Sequence, residues 1–112
     1  MSFDRWRGIG REAAVIGLGR SGVAAGLLLR REGIPVYASD RSGEAESAAA
    51  AEGIERLRQV GADVQLGGHD LARIARAGLC VVSPGVPPEA PPLRAAREAG
   101  VPLTSELDVG YA

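Results

Sequence analysis

The 112-residue sequence contains no lysine: all 13 of its basic residues are arginine. A P-loop depends on its lysine and a Schiff-base mechanism on a lysine amine, so this segment can supply neither. An excess of charge of one sign is also lacking. Thirteen basic against 14 acidic residues leave a net charge of −1, which gives no electrostatic basis for nucleic acid or an anionic membrane as a partner. No apolar run approaches the roughly 18 residues of a membrane span. Arg5, Arg7 and Arg11 are not followed by the apolar region of a secretory signal, so a cytoplasmic protein is expected. The one cysteine, Cys80, lies in the apolar run Gly78 to Ser83 and reads as a small core residue in a reducing compartment. The one histidine, His69, sits in the turn Gly67-Gly68-His69-Asp70 and could meet Cys80 only through folding. A lone histidine and a lone cysteine make no recognisable zinc set, so no metal site and no catalytic residue are assigned.

What the chain does have is Gly17-Leu18-Gly19-Arg20-Ser21-Gly22, directly after the apolar run Ala13 to Ile16 and before a segment of helical spacing. This is the strand, glycine turn and helix of a nucleotide-binding βαβ unit. Gly17 permits a tight turn, Gly19 lets backbone N–H groups approach a diphosphate, and Gly22 lets helix and strand pack closely. The diphosphate would sit at a helix N-terminus, where unpaired N–H groups and the helix dipole favour an anion. Val23 and Leu27, and Ala24 and Leu28, fall at i, i+4 and predict one face on a sheet, with Gly33 ending the helix. The β-rich run Ile34 to Ser39 then delivers Asp40 to a strand end, about 20 positions past the glycines, where a ribose or base contact is expected. Alone, Asp40 reads equally as a strand-end turn or a cap.

The remainder repeats the alternation. Glu44 to Val60 predicts a helix, with Ala50, Ile54, Leu57 and Gly61 at helical spacing; Asp63 to Leu66 a third strand; Asp70 the cap of a short helix reaching Ala77. Leu79 to Ser83 predicts a fourth strand, Pro91 to Gly100 a helix with proline near its first turn and glycine at its end, and Val101 to Thr104 a fifth strand. The expected fold is α/β: one domain over residues 1–112, a Rossmann-like open parallel sheet of about five strands with helices on both faces. Ligands of such sheets bind beyond the carboxyl ends of the strands. There the glycine turn, Asp40-Arg41-Ser42 and Ser83-Pro84-Gly85-Val86-Pro87-Pro88 would meet. Arg41 can pair with a phosphate through its planar fork, and Ser21, Ser42 and Ser83 can donate hydroxyl hydrogen bonds; singly, each serine also reads as turn chemistry and Arg41 as a solvated charge. Trp6 could dock on the sheet edge or on a neighbour outside this segment.

The glycine turn, the strand ending in Asp40, the Ser83-Pro84-Gly85-Val86-Pro87 turn and the tail Ala95 to Leu103 with Glu106-Leu107 resemble the N-terminal domain of the Mur ligases. The nearest resemblance is to the branch that joins D-glutamate to UDP-N-acetylmuramoyl-L-alanine in peptidoglycan synthesis. It implies an ATP-dependent, Mg-requiring amide ligase acting through an acyl phosphate, in which this domain holds the UDP part of the substrate. Carried over, the UDP-binding residues are Gly17, Gly19, Arg20, Ser21 and Gly22 at the diphosphate, Asp40, Arg41 and Ser42 near uracil and phosphates, and Ser83, Pro84 and Gly85 along the substrate path. Arg20 replaces a commonly apolar residue, and Arg41-Ser42 stands where Thr-Arg often follows the aspartate, so either arginine could make the phosphate contact. The resemblance also implies a central ATPase domain and a C-terminal domain that this chain lacks. Without them it is expected to bind UDP-N-acetylmuramoyl-L-alanine without ligating it, and to hold no cofactor itself. Two readings from other classes share the glycine turn: an NAD-binding domain of an oxidoreductase or regulator, and a non-catalytic interaction module.

Overall fold

In a computed structural model, which describes residues 11–45 and 47–105, strand β1 (Ala13–Ile16) has all four residues buried. It is paired on both edges, with β2 (Val36–Asp40) and β4 (Leu79–Val82), and Ile16 stands opposite Ser39 on one side and Val82 on the other. The outer strands are β3 (Asp63–Leu66), beside β2, and β5 (Leu103–Ser105), beside β4. All pairings are parallel, and the order is β3-β2-β1-β4-β5. Parallel neighbours require crossovers, here helices α1 (Arg20–Arg31), α2 (Ala48–Gln59), α3 (Leu71–Ala75) and α4 (Pro91–Glu98). The expected α/β architecture is the observed one.

The alternation of side chains along the strands divides the core into two layers. Ala13, Val15, Val36, Ala38, Leu79 and Val81 face α1 and α2, packing with Leu29, Ile54 and Leu57. Ala14, Ile16, Tyr37 and Cys80 face α3 and α4, packing with Ile74, Leu93 and Ala96. At the amino-terminal edge, the guanidinium of Arg73 binds Glu12 and Asp63, each with one contact of 2.5 Å, and lies 4.5 Å above the Tyr37 ring. The carboxyl edge carries no such clamp among the described residues.

Helices α1, α2 and α4 all end in the same way. Gly33, Gly61 and Gly100 follow them with φ of +80, +91 and +75°. Each glycine N–H bonds back into the last turn, and the next residue, Ile34, Ala62 or Val101, donates to Leu29, Leu57 or Ala96. These are Schellman motifs, and the buried residue that completes each one aims the chain into the next strand.

Several expected boundaries shift for identifiable reasons. Ile34 completes the α1 terminus, so β2 starts at Val36; Pro35 contributes only its carbonyl, to the Ala13 N–H at 2.8 Å. Helix α2 starts at Ala48, not Glu44, because Ser47 caps it by accepting from the Ala50 N–H at 3.1 Å. Gly61 lies beyond that helix and is exposed. Asp70 does cap α3, which ends at Ala75, two residues short of the expected Ala77. The α1 core face is only partly the expected one: Val23 is buried and Leu27 and Leu28 pack half-buried on the core, but Ala24 is exposed and Gly22, Ala25, Gly26 and Leu29 are buried instead. The packing partner of α1 includes α2 as well as the sheet, which favours glycine over leucine at the contact. Trp6 and Glu106-Leu107 lie outside the described residues.

The α1–α2 contact is close. A Cβ at Gly53 would lie 2.7 Å from Cγ1 of Val23, and one at Gly26 would lie 2.8 Å from Cδ2 of Leu57. Valine in a helix has essentially one rotamer, whereas the leucine terminus can swing. Gly53→Ala should therefore cost about 1–2 kcal/mol of unfolding free energy, the overpacking outweighing the gain in helix propensity. Gly26→Ala should cost less; urea denaturation of both variants checks the order.

Candidate functional site

A cleft of about 520 Å³ opens beyond the carboxyl ends of β1, β2 and β4. Strand order reverses there: the chain leaves β1 toward β2 on one side and later returns to β4 on the other. Of the residues singled out in the sequence, Gly17, Gly19, Asp40, Arg41, Ser83 and Gly85 line it. Arg20, Ser21, Gly22, Ser42 and Pro84 do not. Arg20 and Ser21 are exposed on the first turn of α1, Gly22 is buried beneath it, and Pro84 borders a second depression along β5. The Ser42 hydroxyl is engaged locally, donating to the Glu44 carbonyl at 2.8 Å.

The floor of the cleft is the turn after β1. Gly17 has φ +95°, and a Cβ there would lie 2.8 Å from Cβ of Ser83, so both conformation and contact demand glycine. Its N–H donates to the Ser39 carbonyl at 2.9 Å. The next N–H, of Leu18, donates to Oδ2 of Asp40 at 2.8 Å, while Oδ1 accepts from the Ser42 N–H at 2.9 Å. Asp40 thus braces the glycine turn against the end of β2. Gly19 is the N-cap of α1 and offers no side-chain cap; the first intrahelical bond runs from the Val23 N–H to the Gly19 carbonyl at 3.0 Å. The N–H groups of Arg20, Ser21 and Gly22 consequently have no acceptor among the described residues. The first turn of α1 contains no acidic residue and begins with a cation, Arg20, the reverse of what the helix dipole favours.

The opposite wall is different in kind. Ser83 to Val86 form a turn closed by the Val86 N–H on the Ser83 carbonyl at 3.0 Å, and Pro87 to Ala90 form a second, also 3.0 Å. The Arg97 guanidinium donates to the Pro88 carbonyl and holds this loop to α4. Helix α4 begins with Pro91 and Pro92, which carry no N–H, so its N-terminus presents apolar rings to the cleft. Gly85 has no positive φ, and a Cβ on it would meet nothing within 4 Å. Its missing side chain leaves open space in the wall.

His69 also lines the cleft and was not recognised as a site residue in the sequence. The available signal was Gly67-Gly68. These residues turn back with φ of +82 and +156°, both donate to the Asp40 carbonyl, and so set His69 over the end of β2. There Nδ1 lies 2.7 Å from Oγ of the fully buried Ser39. The considered pairing of His69 with Cys80 is replaced by this one. Cys80 is a buried core residue, and burial pushes its thiol up to about 12, so it is no nucleophile at neutral pH.

Burial holds the His69 imidazole below its ordinary pKa of 6.5, against the opposing pull of Asp40. Below that ordinary value the unfolded chain binds the proton more readily than the folded one, so stability should fall as pH drops through about 6.5. The urea midpoint should therefore decrease between about pH 7 and about pH 5.5. His69→Gln should flatten that slope, whatever it does to the midpoint itself.

The fold and cleft can be set beside known proteins. Residues 11–105 match the family model described as Mur ligase MurD-like, N-terminal domain. The chain is 45% identical over 101 residues to UDP-N-acetylmuramoylalanine--D-glutamate ligase of Acidobacterium capsulatum, covering 89% of this chain and 21% of that protein. It is 44% identical over 102 residues to the ligase of the same name from Anaeromyxobacter dehalogenans, again 89% and 21%. Among solved structures, a murein peptide ligase from Psychrobacter arcticus superposes with a TM-score of 0.73 at 20% identity, over 89% of this chain and 20% of that one. UDP-N-acetylmuramate-alanine ligase MurC from Thermotoga maritima does so with 0.67 at 24%, over 88% and 21%. These superpositions support the fold, and the sequence matches extend across both sides of the cleft, from the glycine turn to the Ser83 loop. The chain spans about a fifth of the length of the curated relatives it matches, and it belongs to the Mur ligase family as a MurD-like N-terminal domain.

Proposed function

We propose that this domain binds the UDP part of UDP-N-acetylmuramoyl-L-alanine, within a longer ligase that adds D-glutamate to it in peptidoglycan synthesis. The observation that carries the reading is the first turn of α1. Among the described residues three backbone N–H groups lack acceptors, no acidic side chain stands in that turn, and a cation occupies its first position. A diphosphate satisfies all three at once. The cleft beside it, about 520 Å³, is in the range that encloses a small ligand. Arg41 lines it and has no hydrogen bond or ion pair among the described residues, so it is the better placed of the two arginines for a phosphate contact. Ser83 and the open space at Gly85 give the rest of the substrate a path along the far wall. Asp40 serves first as the brace of the turn.

ATP and Mg, which a ligase of this kind uses, do not fit the residues present. The sequence has no lysine, and among the described residues no group of histidine, cysteine or carboxylate side chains could hold a metal ion. Phosphoryl transfer belongs, on this proposal, to the central and C-terminal domains of the longer protein, which are also this domain's partners. Among the described residues no helix is long and apolar enough to cross a membrane.

Calorimetric titration of the 112-residue chain with UDP-N-acetylmuramoyl-L-alanine, UDP and NAD at one salt concentration tests the reading. Binding of both UDP ligands without NAD is expected; binding of NAD alone would overturn it, and silence from all three would deny the chain an autonomous site. Arg41→Ala should weaken UDP at least about tenfold, the loss of a charge-assisted hydrogen bond. Arg20→Ala should weaken it less, and the affinity of wild type should fall more steeply with salt than that of Arg41→Ala.

A further inference from the structure

The buried hydroxyl of Ser39 has one partner among the described residues, Nδ1 of His69 at 2.7 Å. A buried hydroxyl proton needs an acceptor. If Nδ1 carried the ring proton, Ser39 would accept that bond and its own proton would be left with nowhere to go. The arrangement that satisfies both groups has Ser39 donating to Nδ1, which leaves the ring proton on Nε2. No described residue accepts from Nε2, and the ring lines the cleft. The two sides of the cleft also differ. The β2 side offers three polar side chains, Asp40, Arg41 and His69, whereas the far wall offers one, Ser83, among the apolar Val86, Pro87 and Ala90. A heterocyclic base has an edge of donors and acceptors that must be matched in its plane, and the β2 side is the one that carries several polar side chains to match it.

Building on the nucleotide reading above, we propose that His69, its tautomer set by Ser39, is a specificity-determining donor that reads a carbonyl on the base edge through Nε2–H. Such a donor accepts uracil, which presents an oxygen at position 4, and opposes cytosine, which presents an amino group there. Ser39 is a positioning residue: it touches no ligand and acts by holding the imidazole in one tautomer.

Because the sequence contains a single histidine, nitrogen NMR of the labelled chain reads this ring without ambiguity. The expected state has Nε2 protonated and Nδ1 bare in wild type, and a mixture of tautomers in Ser39→Ala. Titration with UDP and CDP completes the test, with circular dichroism to establish that the variants are folded. Wild type should prefer UDP by roughly tenfold or more, the scale of one matched against one opposed hydrogen bond. His69→Leu should reduce that ratio to about threefold or less, and Ser39→Ala should fall between, since one donor geometry becomes two. A wild-type ring protonated on Nδ1 would overturn the inference. So would an unchanged UDP to CDP ratio in His69→Leu that still binds UDP, leaving the nucleotide reading intact. A wild-type chain that binds no UDP would overturn both.

Discussion

Strand β1 has no exposed residue and no free edge, and the position of the cleft follows from that constraint. A central parallel strand can be left only by crossovers that cover the sheet faces, and here the chain builds β2 and β3 on one side of β1 before crossing back to β4 and β5 on the other. The peptide after Ile16 therefore emerges between two diverging loops, one from β2 and one from β4. Gly17 is the narrowest point: the contact with Ser83 admits no Cβ. The same proximity that excludes a side chain there brings the walls of the cleft together at its floor.

The two helix N-termini at the cleft illustrate how side-chain chemistry directs a generic fold toward one ligand geometry. Both helices present a positive dipole end. In α1 the cap is glycine and the first-turn N–H groups have no acceptor among the described residues, so the backbone is open to an anion. In α4 the first two residues are prolines, which remove those donors and replace them with apolar surface. An anion is thereby favoured on one side only, and a ligand with a charged middle and dissimilar ends has a defined direction across the site. Asp40 holds the anion side in shape without competing for its donors, because its oxygens already accept from Leu18 and Ser42.

The fold was largely legible from local patterns. Short apolar runs, glycines after helices and the Asp70 cap each reflect chemistry within a few residues, and the strand and helix order follows from them. The glycine turn and the Ser83 loop were legible for the same reason. Less legible were features that depend on a partner distant in the chain. The buried face of α1 was legible at Val23 but not at Gly26, where the close approach of α2 makes a glycine the contact residue. Ser42 read as a possible ligand group, yet its hydroxyl is held by Glu44. His69 read as a turn residue, since its bond to Ser39 spans 30 positions.

The sequence by itself determined the α/β class, the order of its elements, the strand, glycine turn and helix at Gly17 and the absence of a lysine-dependent phosphate site, because each rests on residue type and short spacing. Only the tertiary structure decided which of the candidate residues meet. It set Arg41 rather than Arg20 at the cleft, turned Asp40 into a brace, and joined His69 to Ser39. Strand register, and the direction in which each loop leaves the sheet, decide such meetings, and both depend on packing between segments far apart in the chain.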